Sequence, residues 1–269
     1  MTIPNFGDSL TALRDTTPLI HCITNYVAMN STANVLLATG ASPAMLHATQ
    51  EVAEFTGLAD ALSINIGTLS SPWAEAMLLA ARTARAHDTP WVLDPVAVGA
   101  TRYRQEVCAD LLALQPSVIR GNASEILALD GLAHQGRGVD ATASTDDAIT
   151  AAMALAERQQ CIVAMTGERD RVTDGKACYT ISGGHPLMPR VTTLGCGLSA
   201  LVAAFIAANP DEPLSASSAA VACSAAAGER AGETAQGPGS FYVALLDALY
   251  QLTPDALNHF ARREVRDAL

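Results

Sequence analysis

Lysine is almost missing from this chain of 269 residues, in which Lys176 is the single example. A Walker A phosphate-binding loop reads G-x-x-x-x-G-K-[ST] and requires a lysine followed by serine or threonine. Lys176 is followed by alanine, so the sequence excludes this loop. If the protein handles a nucleotide, it does so by another architecture.

Positive charge is also scarce, since 16 Lys and Arg residues stand against 27 Asp and Glu residues and give a net charge of -11. No run of basic residues offsets this balance locally. A strongly acidic chain repels the phosphate backbone of DNA or RNA. We therefore do not expect the protein to bind nucleic acid.

Paired cysteine motifs are absent, because the six cysteines are scattered and no C-x-x-C occurs. This pattern fits neither a zinc site nor a disulfide framework. The chain also lacks a basic start followed by an apolar run, and no uninterrupted apolar stretch reaches the ~18 residues of a membrane span. We expect no secretory signal, no contact with a membrane and a cytoplasmic location.

Hydrophobic residues make up 49% of the chain although aromatics make up only 4%, and alanine is abundant. Small apolar side chains suit helices packed closely on a sheet. The length fits one large domain, so we predict a single domain over residues 1–269.

Strand-like runs alternate with alanine-rich helical runs, as in parallel α/β proteins. We predict helices over 72–87 and 145–159, a helix opening near Asn25, and a buried helix from Leu198. Asp174-Gly175 predicts a hairpin within 171–181, which adds an antiparallel edge. The expected fold class is α/β with a mostly parallel central sheet, whose predicted parallel strands lie in 18–24, 61–67, 90–95, 116–122 and 161–167.

Polar residues follow these strands, and ligands of open parallel sheets lie beyond the carboxyl ends of the strands. We therefore expect the site among Thr24-Asn25, Asn65 to Gly67, Asp94, Arg120 to Asn122, and Thr166 to Glu168. Thr166 is well placed to contact a phosphate, whereas Glu168 and Asp170 have a plain interpretation as solvated charges. The six histidines show no metal-ligand spacing and are interpreted as structural or surface residues: His21, His47, His87, His134, His185 and His259.

The segment TTLGCGLSALVAAF, 192–205, places Gly195 and Gly197 around Cys196 just ahead of the predicted buried helix. Free N–H groups and the helix dipole would favour an anion there. The alternative is that the glycines only allow close packing of the turn.

Two carboxylates near strand ends have both structural and functional interpretations. Asn122 and Glu125 have the spacing of a capping box, which needs no function. Glu125 could instead face a hydrated Mg²⁺, an ion that keeps waters and takes only one or two carboxylates. Asp94 closes an apolar strand, where a carboxylate is costly unless it is paired, exposed to a cleft or near a metal; with Pro95 next, it could also simply start a turn.

Several long motifs together resemble the hydroxyethylthiazole kinase family of the ribokinase-like superfamily. The resemblance extends over nearly the whole chain and is carried by these segments: HCITNYVAMNSTANVLLATGASPAM (21–45), INIGTL (64–69), VLDPVAVGAT (92–101), IRGNASEI (119–126), TGERDRVTDG (166–175) and the 192–205 segment. It implies a three-layer α/β/α kinase that uses ATP and Mg²⁺ to phosphorylate the primary alcohol of 4-methyl-5-(2-hydroxyethyl)thiazole in thiamine biosynthesis or salvage. It also implies a homotrimer with active sites between subunits.

The resemblance implies roles for individual residues. Cys196 stands where related sugar kinases have an aspartate base, and we expect the thiol to be a weak base at best, although a helix N-terminus can favour some thiolate. The remaining implied residues bind the thiazole (Met45, Asn25, Gly67, Thr193, Gly195), ATP (Arg120, Thr166, Asn122, Glu168) or Mg²⁺ (Asp94, Glu125).

One departure lies in the glycine turn. The family commonly reads T-G-T-G-C there, and this chain has Thr193-Leu194 before Gly195 and Cys196. Threonine and leucine restrict φ more than glycine, which puts the details of the turn in question.

Three rival functions stay open. They are another ribokinase-like kinase acting on a sugar or pyrimidine, a thiol enzyme with Cys196 as nucleophile, and a non-catalytic binder of thiazole or nucleotide. The first rival usually has aspartate at the turn, and the second would need a histidine base that the local sequence does not offer.

Overall fold

A single β-sheet organises the residues described by the computed structural model, which are 5–133 and 145–267. Within these ranges the strand order is β2-β1-β3-β4-β5-β6-β7-β8-β9. The pairings among β1 to β6 are parallel, whereas those of β6 with β7, β7 with β8 and β8 with β9 are antiparallel. The strands are Leu19–Ile23 (β1), Ser42–Ala44 (β2), Ala61–Asn65 (β3), Trp91–Asp94 (β4), Val118–Asn122 (β5), Ile162–Thr166 (β6), Asp170–Thr173 (β7), Cys178–Ile181 (β8) and Val265–Asp267 (β9).

Helices cover both faces of the sheet, and the sheet separates two hydrophobic cores. Alternate side chains of one strand enter different cores, as in β4, where Val92 faces one and Leu93 the other. Because parallel strands are buried on both faces, they read as nearly continuous apolar runs. The helices are Phe6–Thr16 (α1), Met29–Thr39 (α2), Val52–Thr56 (α3), Ser71–Ala86 (α4), Arg102–Leu112 (α5), Ala123–Ala133 (α6), Thr145–Gln159 (α7), Leu194–Ala208 (α8), Pro213–Gly232 (α9), Pro238–Gln251 (α10) and Pro254–Glu264 (α11).

This arrangement confirms the α/β class and the three-layer α/β/α architecture. The five predicted parallel strands are present, and so is the hairpin, whose Gly175 has a φ of 89° at the turn. The edge strand β2 and the final strand β9 were not predicted. Each has three residues, too few to show a period, and each is a strand only because a neighbour pairs with it.

Two predicted helix starts are wrong. The helix expected near Asn25 begins at Met29, because the Asn25 side chain accepts a hydrogen bond from Ala28 N and closes a turn. The helix expected from Leu198 begins at Leu194, since Gly197 N already donates to Thr193 O. Gly195, Cys196 and Gly197 therefore lie in the first turn of α8 rather than ahead of it.

No helix in the described part of the chain is long and apolar enough to cross a membrane.

Candidate active site

The carboxyl ends of the central strands bring the predicted polar residues together. Asn65 lies opposite Asp94 in the β3–β4 pairing, and Asn122 lies opposite Thr166 in the β5–β6 pairing. Helix α8 packs across β1, β3 and β4, so its first turn lies above the same edge of the sheet. Parallel pairing alone therefore assembles residues that are far apart in the sequence.

Asp94 is fully buried at the centre of this edge. Its Oδ2 accepts hydrogen bonds from Asn65 Nδ2 and Ser199 Oγ, both at 2.7 Å. Its Oδ1 has no hydrogen-bond partner among the described residues, which is costly for a buried carboxylate oxygen. Burial raises the pKa of Asp94 to about 6, and the positive charge of Arg120 opposes this rise.

The Arg120 guanidinium lies beneath the first turn of α8. Its Nη2 donates to Thr166 Oγ1 at 2.6 Å, and its Nη1 is 3.7 Å from Asp94 Oδ2. A Cβ atom at Gly195 would lie only 2.6 Å from Nη1, so glycine is what allows the helix to approach the cation. The fixed cation and the unpaired N–H groups at the start of α8 converge on one place, which suits a phosphate.

Asn25, Asn65 and Gly67 form a hydrogen-bonded group beside Cys196. Asn25 Nδ2 donates to Asn65 Oδ1 at 2.9 Å and to Cys196 Sγ at 3.3 Å. Gly67 N also donates to Asn65 Oδ1, at 2.9 Å. A Cβ atom at Gly67 would lie 2.7 Å from Asn25 Cβ, so this close approach also requires glycine.

Cys196 is half-buried as the third residue of α8. Burial raises the pKa of its thiol, and the negative charge of Asp94 adds to this effect, while the hydrogen bond from Asn25 opposes it. These effects favour the protonated thiol and oppose the thiolate that a helix N-terminus can favour. All six cysteines are free.

Glu125 makes the capping box predicted from its spacing. Asn122 N donates to Glu125 Oε2 at 2.8 Å, and Glu125 N donates to Asn122 Oδ1 at 3.0 Å. The other carboxylate oxygen, Oε1, accepts from Ala97 N at 2.9 Å and so ties the loop after β4 to α6. The structural interpretation of Glu125 is therefore correct, and each of its oxygens keeps a further lone pair for water or a metal.

A magnesium site of the hydrated kind is compatible with these residues. The described residues contain no group of three or more His, Cys, Asp or Glu side chains that could enclose a metal ion. Mg²⁺ does not require such a group, because it retains waters and takes one or two carboxylates. Asp94 supplies a buried oxygen without a partner, and Glu125 is close enough for its charge to raise the Asp94 pKa.

A cavity of about 820 Å³ opens beside Arg120 and Thr166 and extends to the start of α8. Asn122, Glu168 and Asp170 line it. Asp170 is not the solvated charge that was expected, because burial raises its pKa to about 6 and its Oδ1 accepts from Gly167 N at 3.0 Å. Glu168 is exposed at the rim.

Met45 and Thr193 flank this centre in different ways. Met45 is half-buried just after β2 and packs against the core on the α8 face. Thr193 is the N-cap residue of α8 and has a φ of 73°, the left-handed conformation that glycine adopts readily and threonine rarely. The departure from the glycine pattern thus lies at a position where φ is positive.

None of the histidines in the described part of the chain hydrogen-bonds to Asp94, Arg120 or Cys196. His21 is fully buried, with its ring nitrogens 2.9 Å from Thr56 Oγ1 and 3.1 Å from Leu46 O. His47 packs on Trp73, and His185, which lines the far side of the cavity, stacks on Phe241. His134 lies outside the described residues.

Sequence reasoning missed Arg104 and Ser199. Arg104 reaches from α5 to three carbonyl oxygens, those of Ile66 (2.6 Å), Val96 (2.8 Å) and Gly67 (2.5 Å), and holds the loops after β3 and β4 together. Nothing in the sequence around Arg104 signals this role. Ser199 did leave a signal, since it is the single polar residue in the apolar run LSALVAAFIAA of α8.

The sheet and its covering helices define a protein of the ribokinase-like fold class. A pyridoxal kinase from Bacillus subtilis solved with ADP shares the fold, with a TM-score of 0.61, 18% identity and coverage of 79% of this chain and 91% of that one. A much nearer match is the structure of hydroxyethylthiazole kinase protein from Pyrococcus horikoshii OT3, with a TM-score of 0.90, 40% identity and coverage of 98% and 99%.

The chain belongs to the hydroxyethylthiazole kinase family. The model of that family matches residues 10–255. Hydroxyethylthiazole kinases from Rhizobium etli (strain CIAT 652) and Cereibacter sphaeroides (strain ATCC 17023) are each 55% identical, over 94% and 96% of this chain and 98% of the relatives. Membership assigns to the protein the phosphorylation of hydroxyethylthiazole in thiamine biosynthesis or salvage.

Proposed function

We propose that the protein transfers the γ-phosphoryl group of ATP to the primary alcohol of 4-methyl-5-(2-hydroxyethyl)thiazole at the edge formed by Asp94, Arg120 and the start of α8. The observation that carries this proposal is the convergence of the Arg120 guanidinium, the buried Asp94 Oδ1 without a partner, and the first turn of α8. Phosphoryl transfer depends mainly on such positioning and charge stabilisation.

ATP occupies the cavity beside Arg120 in this proposal. Arg120 and Thr166 bind its phosphates, and their mutual hydrogen bond of 2.6 Å fixes both groups before the nucleotide arrives. Asn122 and Glu168, which line the same cavity, contact the nucleotide further out. Among the described residues that line this cavity Arg120 is the one lysine or arginine, so phosphate binding depends on its charge.

Asp94 and Glu125 are the residues that would hold Mg²⁺ through its waters. The ion would neutralise phosphate charge during the transfer. Asn65 and Ser199 fix Asp94 by bonding only its Oδ2, which leaves Oδ1 directed to the site. The Ala97 contact of Glu125 fixes its carboxylate in the same way.

The thiazole lies beside Asn25, Gly67 and Met45, with the backbone of Thr193 and Gly195 at its alcohol. The alcohol oxygen bonds to the γ-phosphorus while the bond to the bridging oxygen of ADP breaks, and the alcohol proton passes to an oxygen of the transferred phosphoryl group or to water. Cys196 orients the alcohol and contributes little as a base, because burial and the charge of Asp94 raise the pKa of its thiol and favour the protonated form. Most of the acceleration comes from the N–H groups of α8, Arg120 and the metal, which stabilise charge as it develops.

We also propose that residues 1–269 act as one cytoplasmic kinase domain and assemble as a homotrimer with sites between subunits. Tyr26 and Val27, next to Asn25, are 62% and 61% exposed, and large exposed apolar side chains beside a site suit coverage by a second subunit. Sedimentation equilibrium tests this assembly: a mass three times that of the chain supports it, and a monomer at micromolar concentration contradicts it.

The activity is tested by incubating the protein with Mg-ATP and hydroxyethylthiazole and following ADP together with the phosphorylated thiazole. Equal amounts of both products support the proposal. Turnover only with a sugar or a hydroxymethylpyrimidine would favour another ribokinase-like kinase, and binding without ADP release would favour a non-catalytic binder. Arg120→Met should abolish turnover, and Arg102→Gln is its control, because Arg102 is exposed and Glu106 is its one ion-pair partner among the described residues.

A further inference from the structure

Thr193 begins α8 in an unusual way. Threonine at an N-cap normally has an extended backbone, and its side-chain oxygen accepts a hydrogen bond from the second or third helical N–H. Here Thr193 has φ 73° and ψ −2°, and its side chain makes no capping hydrogen bond. A good capping residue is thus held in a conformation in which it does not cap.

The hydroxyl of Thr193 is engaged on the side away from the helix. Its Oγ1 donates to Thr192 O at 2.5 Å and lies 2.5 Å from Ser31 Oγ, which projects from α2. Each hydroxyl has one proton, and Ser31 Oγ also lies 3.1 Å from Ala28 O, so when Thr193 donates to Thr192 O the Ser31 proton is shared between Ala28 O and Thr193 Oγ1. The Ser31 hydroxyl therefore fixes the direction of the Thr193 side chain.

This direction matters because of what the hydroxyl would otherwise contact. The first helical hydrogen bond runs from Gly197 N to Thr193 O, so the N–H groups of Leu194, Gly195 and Cys196 come before it and have no partner within the helix. These are the groups that a capping threonine hydroxyl would occupy. They lie in the same helical turn as Gly195, where an added Cβ atom would lie 2.6 Å from Arg120 Nη1.

We propose that Ser31 is a positioning residue that keeps Thr193 in the left-handed conformation and prevents its hydroxyl from capping α8, so that the N–H groups of the first turn stay available for the transferred phosphoryl group. Without Ser31, Thr193 relaxes to the extended conformation and blocks that turn. The inference rests on the proposed role of the α8 first turn in phosphoryl transfer. In this inference Ser31, which lies on α2, compensates for the threonine that stands at position 193 where the family commonly has glycine.

A double-mutant cycle tests the inference with four proteins: wild type, Ser31→Ala, Thr193→Gly, and both changes together. For each, kcat, the KM values for ATP and the thiazole, and the thermal midpoint are measured. We expect Ser31→Ala to lower kcat at least about tenfold, because oxyanion-type donors are lost from the transition state. Its thermal midpoint should not fall, since the relaxed threonine caps the helix.

The effect of Ser31→Ala should disappear in the Thr193→Gly background, where kcat should change less than about twofold relative to the Thr193→Gly parent. Glycine has no hydroxyl to cap the helix and adopts a positive φ without penalty. Thr83→Ala is the control, because Thr83 Oγ1 makes a similar half-buried helical bond to Leu79 O in α4, away from the site. Its kcat should match that of the wild type.

Three results would overturn the inference: an unchanged kcat for Ser31→Ala, the same loss in both backgrounds, or a loss matched by a lower thermal midpoint. Failure of the proposed function is read separately. If an Arg120→Met protein kept the wild-type kcat, the phosphate role of the site would be wrong, whereas the comparison between the two Thr193 backgrounds would still report on Ser31.

Discussion

Arg120 and Gly195 are so close that a Cβ atom on Gly195 would lie 2.6 Å from Arg120 Nη1. The guanidinium is the movable partner, since it ends a flexible side chain, but it is held by Thr166 and faces Asp94. Any side chain at position 195 must therefore push the cation from its place. Glycine is therefore needed at position 195 to leave room for the Arg120 guanidinium, more than to give the backbone its conformation.

We accordingly expect Gly195→Ala to lower kcat/KM by about 10- to 100-fold, because the charge that stabilises the phosphoryl group is displaced. Thermal unfolding should change little. Gly239→Ala is the matched control, because a Cβ there meets nothing within 4 Å and Gly239 also lies in the first turn of a helix. Wild-type kinetics for Gly195→Ala would contradict the assignment.

Arg104 should matter for the shape of the site although it lies outside the phosphate cavity. Arg104→Gln removes the bonds to the loops after β3 and β4, and we expect the thiazole KM to rise about tenfold and the free energy of unfolding to fall by about 1–3 kcal/mol. Arg102→Gln on the same helix should do neither, because Arg102 is exposed. Steady-state kinetics and urea denaturation of the two variants measure the difference, and equal behaviour would contradict this role.

Asp94→Asn should lower the activity of the protein and raise its stability. Burial raises the Asp94 pKa to about 6, so the ionised carboxylate destabilises the fold above that pH. The asparagine keeps an oxygen for the Asn65 and Ser199 bonds, and we expect kcat/KM to fall at least about 100-fold while stability at pH 8 rises by on the order of 1 kcal/mol. Urea denaturation in metal-free buffer checks this, and lower stability with retained activity would refute it.

His21 should remain neutral well below its usual range. Burial lowers the pKa of His21 to about 4, whereas in the unfolded chain this residue is protonated near the ordinary histidine pKa of 6.5. The unfolded state thus binds the proton first, so this residue makes stability fall as the pH drops from about 6.5 to about 4. Ring NMR should give a midpoint near pH 4, and a midpoint near 6.5 would contradict the burial argument.

The contribution of His21 to stability is isolated by comparing the pH dependence of unfolding in the wild type and His21→Gln. Asp94 and Asp170, both with a pKa raised to about 6, act in the opposite direction below pH 6. Both aspartates are present in the wild type and in His21→Gln, so their contributions cancel when the two stability curves are subtracted.

Much of the site could be predicted because parallel strands collect their carboxyl ends at one edge. That rule alone places Asn25, Asp94, Arg120 and Thr166 near each other, and the contacts of Asp94 with Arg120 and of Arg120 with Thr166 agree with it. The capping box of Asn122 and Glu125 could be predicted as well, since it depends only on the spacing of residues that are close in the sequence.

What could not be predicted depends on contacts between distant elements. Arg104 lies on the exposed-looking start of α5, and only the folded chain brings it to Ile66 O and Gly67 O. Strand β9 exists because β8 pairs with it. The start of α8 was misplaced by four residues because glycine disfavours helices on its own, whereas in the structure Gly195 and Gly197 are helical and Gly197 N donates to Thr193 O.

The central claim is that a positioned cation and the first turn of α8 drive the transfer, with Cys196 as an aid to alcohol orientation and only a weak base. The most direct test is kcat of Cys196→Asp with Mg-ATP and hydroxyethylthiazole, measured beside the wild type. A carboxylate is a stronger base than the protonated thiol, so the account predicts that kcat is kept or increased. Complete loss of activity in a folded Cys196→Asp protein would contradict it, because a thiol-specific or covalent role would then be required.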